Sequence, residues 1–182
     1  MSAEQPAVAE GNLIRTTQRP AKSRSGREAG LALNRVSSAP AHIFMAEDNP
    51  ADVYLIRHVL KESGIDFQLK VTADGKQALS FLCGEGAFDE TSMPALILLD
   101  LNLPKHDGTE ILERIRNDRT FALVPVIILT SSDSPKDRLI ATELGATCYL
   151  RKPSSLNEFM AVGAVIKEVL AASSAPAAKF LA

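Results

Sequence analysis

Two short runs, PALILLD (residues 94–100) and VPVIILT (124–130), are apolar at almost every position. A strand with one wet face alternates apolar and polar residues. A strand without alternation has to be covered on both sides, which happens in parallel sheets flanked by helices. Each run also ends on a polar residue, Asp100 in one case and Thr130 in the other. A carboxylate at the end of a buried strand is costly unless something pairs with it or uses it.

The rest of the central sequence fits that sheet. His42–Ala46 is a short apolar run ending on Glu47 and Asp48. In NPADVYLIRHVLKESG, Asn49 can cap a helix and Pro50 suits its first turn. Val53, Ile56, Val59 and Leu60 share a face, and Gly64 stops the helix. FQLKV alternates and reads as a strand. DGKQALSFLCG reads as a helix with Ala78, Leu79 and Leu82 inward and Asp74 as its cap, and GEGAFDETSM as a loop. GTEILERIRND is a helix with Ile111, Leu112 and Ile115 inward. SPKDRLIATELG is a helix from Pro135 to Gly145, ATCYL a short strand, and SSLNEFMAVGAVIKEVLAA the last helix. Five strands alternating with five helices, joined by right-handed crossovers, give an open doubly wound α/β sandwich in one domain.

The flanks differ in kind. Residues 1–40 carry six basic residues against three glutamates, whereas the whole 182-residue chain has a formal charge of −2. This segment has no aromatic residue and little periodicity, so it is expected to be a disordered basic arm, with a weak helix around Gly26 to Leu33. Residues 172–182 are expected to be a short C-terminal tail. Cys83 and Cys148 form no CxxC pair and read as reduced core or near-core thiols. No apolar run approaches the ~20 residues of a membrane span, and residues 1–40 lack a secretory apolar stretch. The expected location is cytoplasmic.

In an open parallel sheet, ligands bind outside the carboxyl ends of the strands. Those ends hold Glu47 and Asp48, Thr72 to Asp74, Asp100 to Asn102, Thr130 to Ser132, and Lys152 with Pro153. Three carboxylates repel one another, and a hard divalent cation such as Mg²⁺ relieves that while leaving positions open to phosphoryl oxygens. Lys152 supplies a point charge and Thr130 a donor for such a group. A carboxylate nucleophile that accepts phosphate is established chemistry, and Asp100 is the candidate.

The stretches AEDNPAD, LLDLNLPKHDG, ILTSSDSPKD and YLRKPSS resemble the receiver domain of two-component response regulators. The resemblance covers residues 41–171. With DGKQALSFL, the wording is similar to the stand-alone receivers of the cyanobacterial phytochrome response regulator type. The resemblance implies a flavodoxin-like (βα)5 sandwich with strand order 2-1-3-4-5. It implies phosphorylation of Asp100 by a sensor histidine kinase, with a phytochrome-type kinase as the finer expectation, or by a phosphotransfer protein. Asp48, Asp100 and the backbone carbonyl of Asn102 would bind Mg²⁺ or Mn²⁺, with Glu47 acting mainly through water. Thr130 and Lys152 would bind the phosphoryl group, and Thr130 and Tyr149 would form the switch. Pro153 matches a proline usually preceded by a cis peptide, and Pro104 and Gly108 match the turn after the phosphorylated aspartate. Ser131 stands where many members have Ala or Gly, so the phosphoryl lifetime could differ.

The resulting expectation is a response regulator that is not an enzyme beyond self-catalysed phosphotransfer and autodephosphorylation. With no DNA-binding domain and no membrane segment, its output would be binding of a downstream protein. The face of the fourth helix, fifth strand and fifth helix is a candidate for homodimerisation. The last helix carries Leu156, Phe159, Met160, Val162, Val165, Ile166, Val169 and Leu170, which a broad core face would also explain. Two rival readings are a Mg²⁺-dependent phosphohydrolase with an aspartyl nucleophile and a docking module that needs no phosphorylation.

Overall fold

The computed structural model describes residues 39–84 and 93–174. Residues 1–38 of the basic arm with its weak helix, most of the loop after Cys83 and residues 175–182 of the expected tail lie outside the described residues. Strands β1 (Ala41–Ala46), β2 (Phe67–Thr72), β3 (Leu96–Leu99), β4 (Val126–Thr130) and β5 (Cys148–Arg151) alternate with five helices. The helices are α1 (Pro50–Glu62), α2 (Gly75–Leu82), α3 (Gly108–Asn117), α4 (Pro135–Glu143) and α5 (Leu156–Ser174). The strands pair in parallel in the order β2-β1-β3-β4-β5. The doubly wound sandwich and its strand order are therefore as the sequence implies. Helix α5 continues to Ser174, past residue 171 where the domain was expected to end.

The absence of alternation in β3 and β4 has its cause in two apolar layers. Ile97, Leu99, Val126 and Ile128 face one layer with Phe44 and Ala46, against Ala78 and Leu82 of α2 and Ile111, Leu112 and Ile115 of α3. Leu96, Leu98, Ile127 and Leu129 face the other with Ile43 and Met45, against Ile56, Val59 and Leu60 of α1 and Phe159, Val162 and Ile166 of α5. Val53 and Leu79, expected inward, are partly buried at the margins of these layers. Every residue of the broad α5 face packs on the second layer except Leu156, which is 51% exposed. The breadth arises because α5 covers the sheet and also lies against α1, where a Cβ at Gly163 would come within 2.6 Å of Val59 Cγ1.

Helix starts follow the local chemistry. Asn49, Asp74, Asp107 and Ser134 each accept a hydrogen bond from a first-turn backbone N–H at α1, α2, α3 and α4. Pro50 and Pro135 sit at helix starts, where a missing N–H costs nothing. Two expectations are corrected. Among the described residues no peptide bond is cis, so the Lys152–Pro153 bond is trans. The two isomers of an X–Pro bond differ by only about 0.5–1 kcal/mol, so a proline alone does not select one. Cys83 is exposed, because it caps the end of α2, whereas Cys148 is half-buried at the sheet edge, and both are free thiols. No described helix is long and apolar enough to cross a membrane.

Candidate functional site

The parallel ladder delivers the site residues to one edge. Glu47 N–H donates to Thr72 O at 2.9 Å, Asp100 N–H to Ala46 O at 3.1 Å, and Lys152 N–H to Thr130 O at 2.7 Å. Each residue follows its strand by a position or less, so its backbone is held by the sheet while its side chain leaves it. Glu47, Asp100 and Thr130 are buried, Lys152 is half-buried, and Asp48 is exposed.

Glu47, Asp48 and Asp100 offer carboxylate oxygens that all lie within 4.8 Å of one another. Lys152 reaches into the same space. Its Nζ lies 2.6 Å from Asp100 Oδ2, 2.8 Å from Glu47 Oε2 and 2.9 Å from Asp52 Oδ2. Glu47 Oε1 accepts from Lys152 Nζ at 3.0 Å and from Asn49 N–H at 3.1 Å. Glu47 Oε2 sits close enough for ion pairing but outside hydrogen-bond geometry, so it is a buried oxygen with no hydrogen-bond donor. A hard cation would complete that oxygen, and the three oxygens lie at spacings a small oxygen-ligated ion can span. The donor set therefore fits Mg²⁺ or Mn²⁺.

The electrostatics carry the same tension. Burial pushes the Glu47 carboxyl up, and the Lys152 ammonium beside it only partly offsets that. Burial alone would pull Lys152 down. Hydrogen bonds to Asp100, Glu47 and Asp52 outweigh it and hold the ammonium charged well beyond the ordinary lysine range.

The loop after β3 is shaped around Asp100. Asp100 Oδ1 accepts from Asn102 N–H at 3.0 Å. A Cβ at Gly108 would collide with the Asp100 carbonyl and come within 2.6 Å of Leu101 Cα, so only glycine lets α3 start this close. Pro104 O accepts from Gly75 N–H at 3.0 Å, and Lys105 Nζ pairs with Asp74 Oδ2 at 2.5 Å, with Lys105 at φ 75°. The loop is thus tied to the start of α2. That tether also holds the Asp74 carboxyl below its usual range, chiefly through Lys105.

Thr130 and Tyr149 belong to a second network. Asn102 Nδ2 donates to Thr130 Oγ1 at 3.1 Å and to Ser131 Oγ at 3.2 Å. Ser132 N–H donates to Thr130 Oγ1 at 3.3 Å, and Tyr149 O–H donates to Ser132 O at 3.2 Å. The Tyr149 ring packs against the layer under α2 and α3, and the Arg138 guanidinium lies 4.6 Å over its centroid. Asn102 was singled out for its backbone carbonyl; the structure adds that its carboxamide bridges the loop of Asp100 to Thr130.

The residue that sequence reasoning missed is Asp52. It is the third residue of α1, where an acid reads simply as favourable to the helix dipole. Its reach to Lys152 is set by where β5 delivers the lysine, a hundred positions later.

Comparisons with known proteins bear on the family and the fold. The family model of the response regulator receiver domain matches residues 43–163. The response regulator Rcp1 of Synechocystis sp. is 41% identical over 122 residues, which cover 67% of this chain and 83% of that protein. The solved structure of the phosphorylated cyanobacterial phytochrome response regulator RcpA is 36% identical, with a TM-score of 0.68 over 75% of this chain and 97% of that one. The Mn²⁺-bound form of Rcp1 is 39% identical, with a TM-score of 0.65 over 71% of this chain and 93% of that one.

Proposed function

We propose, from the premise that the chain belongs to the response regulator receiver domain family, that it is a phosphorylation switch in which Asp100 is the acceptor. An Asp100 oxygen attacks the phosphorus of a phosphohistidine on a sensor kinase or phosphotransfer protein. The P–N bond breaks, the imidazole leaves, and an acyl phosphate remains. The observation that carries this reading is the 2.6 Å contact between Asp100 and Lys152 at the rim of the three-carboxylate cluster. A nucleophilic carboxylate, a cation site and a counter-charge for phosphoryl oxygens meet within hydrogen-bonding distance there.

Glu47, Asp48 and Asp100, with the Asn102 carbonyl, would hold a Mg²⁺ or Mn²⁺ ion, which when bound offsets the charge brought by the phosphoryl group. Lys152 would hold a phosphoryl oxygen, and Thr130, whose Oγ1 accepts from Asn102 and Ser132, keeps its own O–H to donate to another. The protein turns over no external substrate; its chemistry is transfer to itself and hydrolysis of its own acyl phosphate. The signalling unit runs from residue 41 to the end of α5, and the free thiols suit a reducing cytoplasm. The kinase is of the phytochrome-linked kind, in keeping with the similarity to RcpA and Rcp1.

Output runs through the second network. Drawing Thr130 toward the phosphoryl group pulls on Asn102, Ser131 and Ser132, and so on the Tyr149 hydroxyl. This changes the face of α4, β5 and α5, where Leu139 and Leu156 are exposed and where a downstream protein or a second copy would bind. A beryllium fluoride adduct, which mimics the phosphoryl group, should shift the Tyr149 ring resonances and alter sedimentation. Unchanged ring resonances would exclude the coupling.

Acetyl phosphate with Mg²⁺, read by intact mass, tests the core of the proposal. One phosphoryl group per chain that is lost again on standing is expected. Sustained hydrolysis of a generic phosphomonoester would instead make the protein a phosphohydrolase. No uptake at all would leave a docking module.

A further inference from the structure

Lys152 is surrounded by more acid than a phosphoryl-binding lysine needs. Its ammonium lies within ion-pair distance of three carboxylates, Glu47, Asp52 and Asp100, and donates to Glu47 Oε1 and Asp100 Oδ2. Two of the three, Glu47 and Asp100, also belong to the cluster that can hold a cation, whereas Asp52 does not. Asp52 is itself pinned. Its Oδ2 accepts from Asn49 Nδ2 at 3.2 Å, and Asn49 Oδ1 in turn caps Ala51 N–H at 3.0 Å, so the N-terminus of α1 sets the carboxylate's position.

The occupancy of Asp100 shows why this matters. Oδ1 accepts from Asn102 N–H and Oδ2 from Lys152, so each oxygen is already engaged and Oδ2 is held against the ammonium. An oxygen 2.6 Å from an ammonium is a poor nucleophile until the lysine withdraws. The lysine can withdraw only if another anion keeps it nearby. With a cation held at the cluster, Glu47 and Asp100 would turn oxygens toward it, and Asp52, which lies outside the cluster, would remain the lysine's partner among the three.

We propose that Asp52 is a positioning residue for phosphoryl transfer: it holds Lys152 when the cation and the phosphoryl group claim the other two carboxylates, freeing Asp100 Oδ2 to attack and aiming the ammonium at the phosphoryl oxygens. This rests on the reading of Asp100 as the acceptor. The bond changes are those given above; Asp52 forms and breaks no covalent bond.

The test is the rate of phosphorylation of the full chain by acetyl phosphate, measured across a Mg²⁺ titration, for wild type, Asp52→Asn and Asp52→Glu. Thermal unfolding of each variant reports the loss of the helix-terminal charge separately. At saturating Mg²⁺, Asp52→Asn should be phosphorylated roughly tenfold more slowly, the scale of a misplaced catalytic contact. Asp52→Glu, which restores the charge with a longer reach, should recover part of the rate. A wild-type rate for Asp52→Asn at saturating Mg²⁺ overturns the proposal. So does a deficit that vanishes on saturation, because Asp52 would then act only through the charge of the metal site. If wild type itself takes up no phosphoryl group, the reading of Asp100 fails first and this inference falls with it. A normal wild type beside a normal Asp52→Asn overturns the inference alone.

Discussion

Asp100→Asn should take up no phosphoryl group from acetyl phosphate under conditions that modify wild type fully, and it should nevertheless remain folded. The first half follows from nucleophilicity. The carboxamide keeps the shape of the side chain but has no anionic oxygen to attack phosphorus. The second half follows from the ion pairs. Lys152 loses one carboxylate but keeps Glu47 and Asp52, so its ammonium stays paired. The change also removes one of three mutually repelling carboxylates, which offsets the lost contact with the lysine. The expected shift in stability is within about 1 kcal/mol, the range of a substitution that strands no buried charge. Mg²⁺ affinity should fall at least about tenfold, or ~1.4 kcal/mol, because an anionic ligand becomes a neutral one. Intact mass, urea unfolding and calorimetric titration read the three parts. Phosphoryl uptake by Asp100→Asn would move the acceptor to another residue.

The fold and most of the candidate site were legible because both rest on features that are local in sequence. A strand covered on both faces must be apolar at every position, and β3 and β4 are. A polar residue that ends such a run has to emerge at the sheet edge, so Glu47, Asp100 and Thr130 could be placed without knowing any contact. Lys152 followed in the same way from the end of β5. Contacts that depend on how one element leans over another were not legible. The bridge from Asp52 to Lys152 needs the tilt of α1 relative to the chain after β5. The Asn102 carboxamide reaches Thr130 because the loop after β3 and the end of β4 are neighbours in the sheet, which only the strand order reveals. The α5 face left two readings open for a related reason. Eight apolar residues look like too many for one core stripe, but the helix covers the sheet and also lies against α1, and seven of the eight pack on the second layer.

Lys152→Met should separate stability from metal affinity, lowering one and raising the other. In the metal-free protein the substitution leaves the Glu47 and Asp100 carboxylates, whose side chains are 1% and 4% exposed, without their ammonium. Breaking a buried pair on one side costs about 3–5 kcal/mol. Part of that is relieved by protonation, because burial already pushes Glu47 up and the offsetting lysine would be gone. A carboxyl whose titration is raised by folding binds its proton more tightly in the folded state than in the unfolded one. Its contribution to stability therefore declines as pH rises, so the variant should lose stability as pH climbs above the ordinary carboxylate range. Mg²⁺ behaves in the opposite sense. The ammonium now competes with the cation for Asp100 Oδ2 and Glu47 Oε2, and removing it hands both oxygens to the metal. The variant should bind Mg²⁺ more tightly than wild type and regain about 2.7 kcal/mol at a hundredfold excess of Mg²⁺ over its Kd. Phosphorylation should still fail to reach the wild-type rate at saturating metal, because no side chain in the variant supplies the charge that Lys152 brings to the transferred group. Urea unfolding with and without Mg²⁺ reads this directly. A metal-free variant as stable as wild type, or one that binds Mg²⁺ more weakly, would mean that the lysine is a bystander at the carboxylate cluster rather than the cation that holds it together.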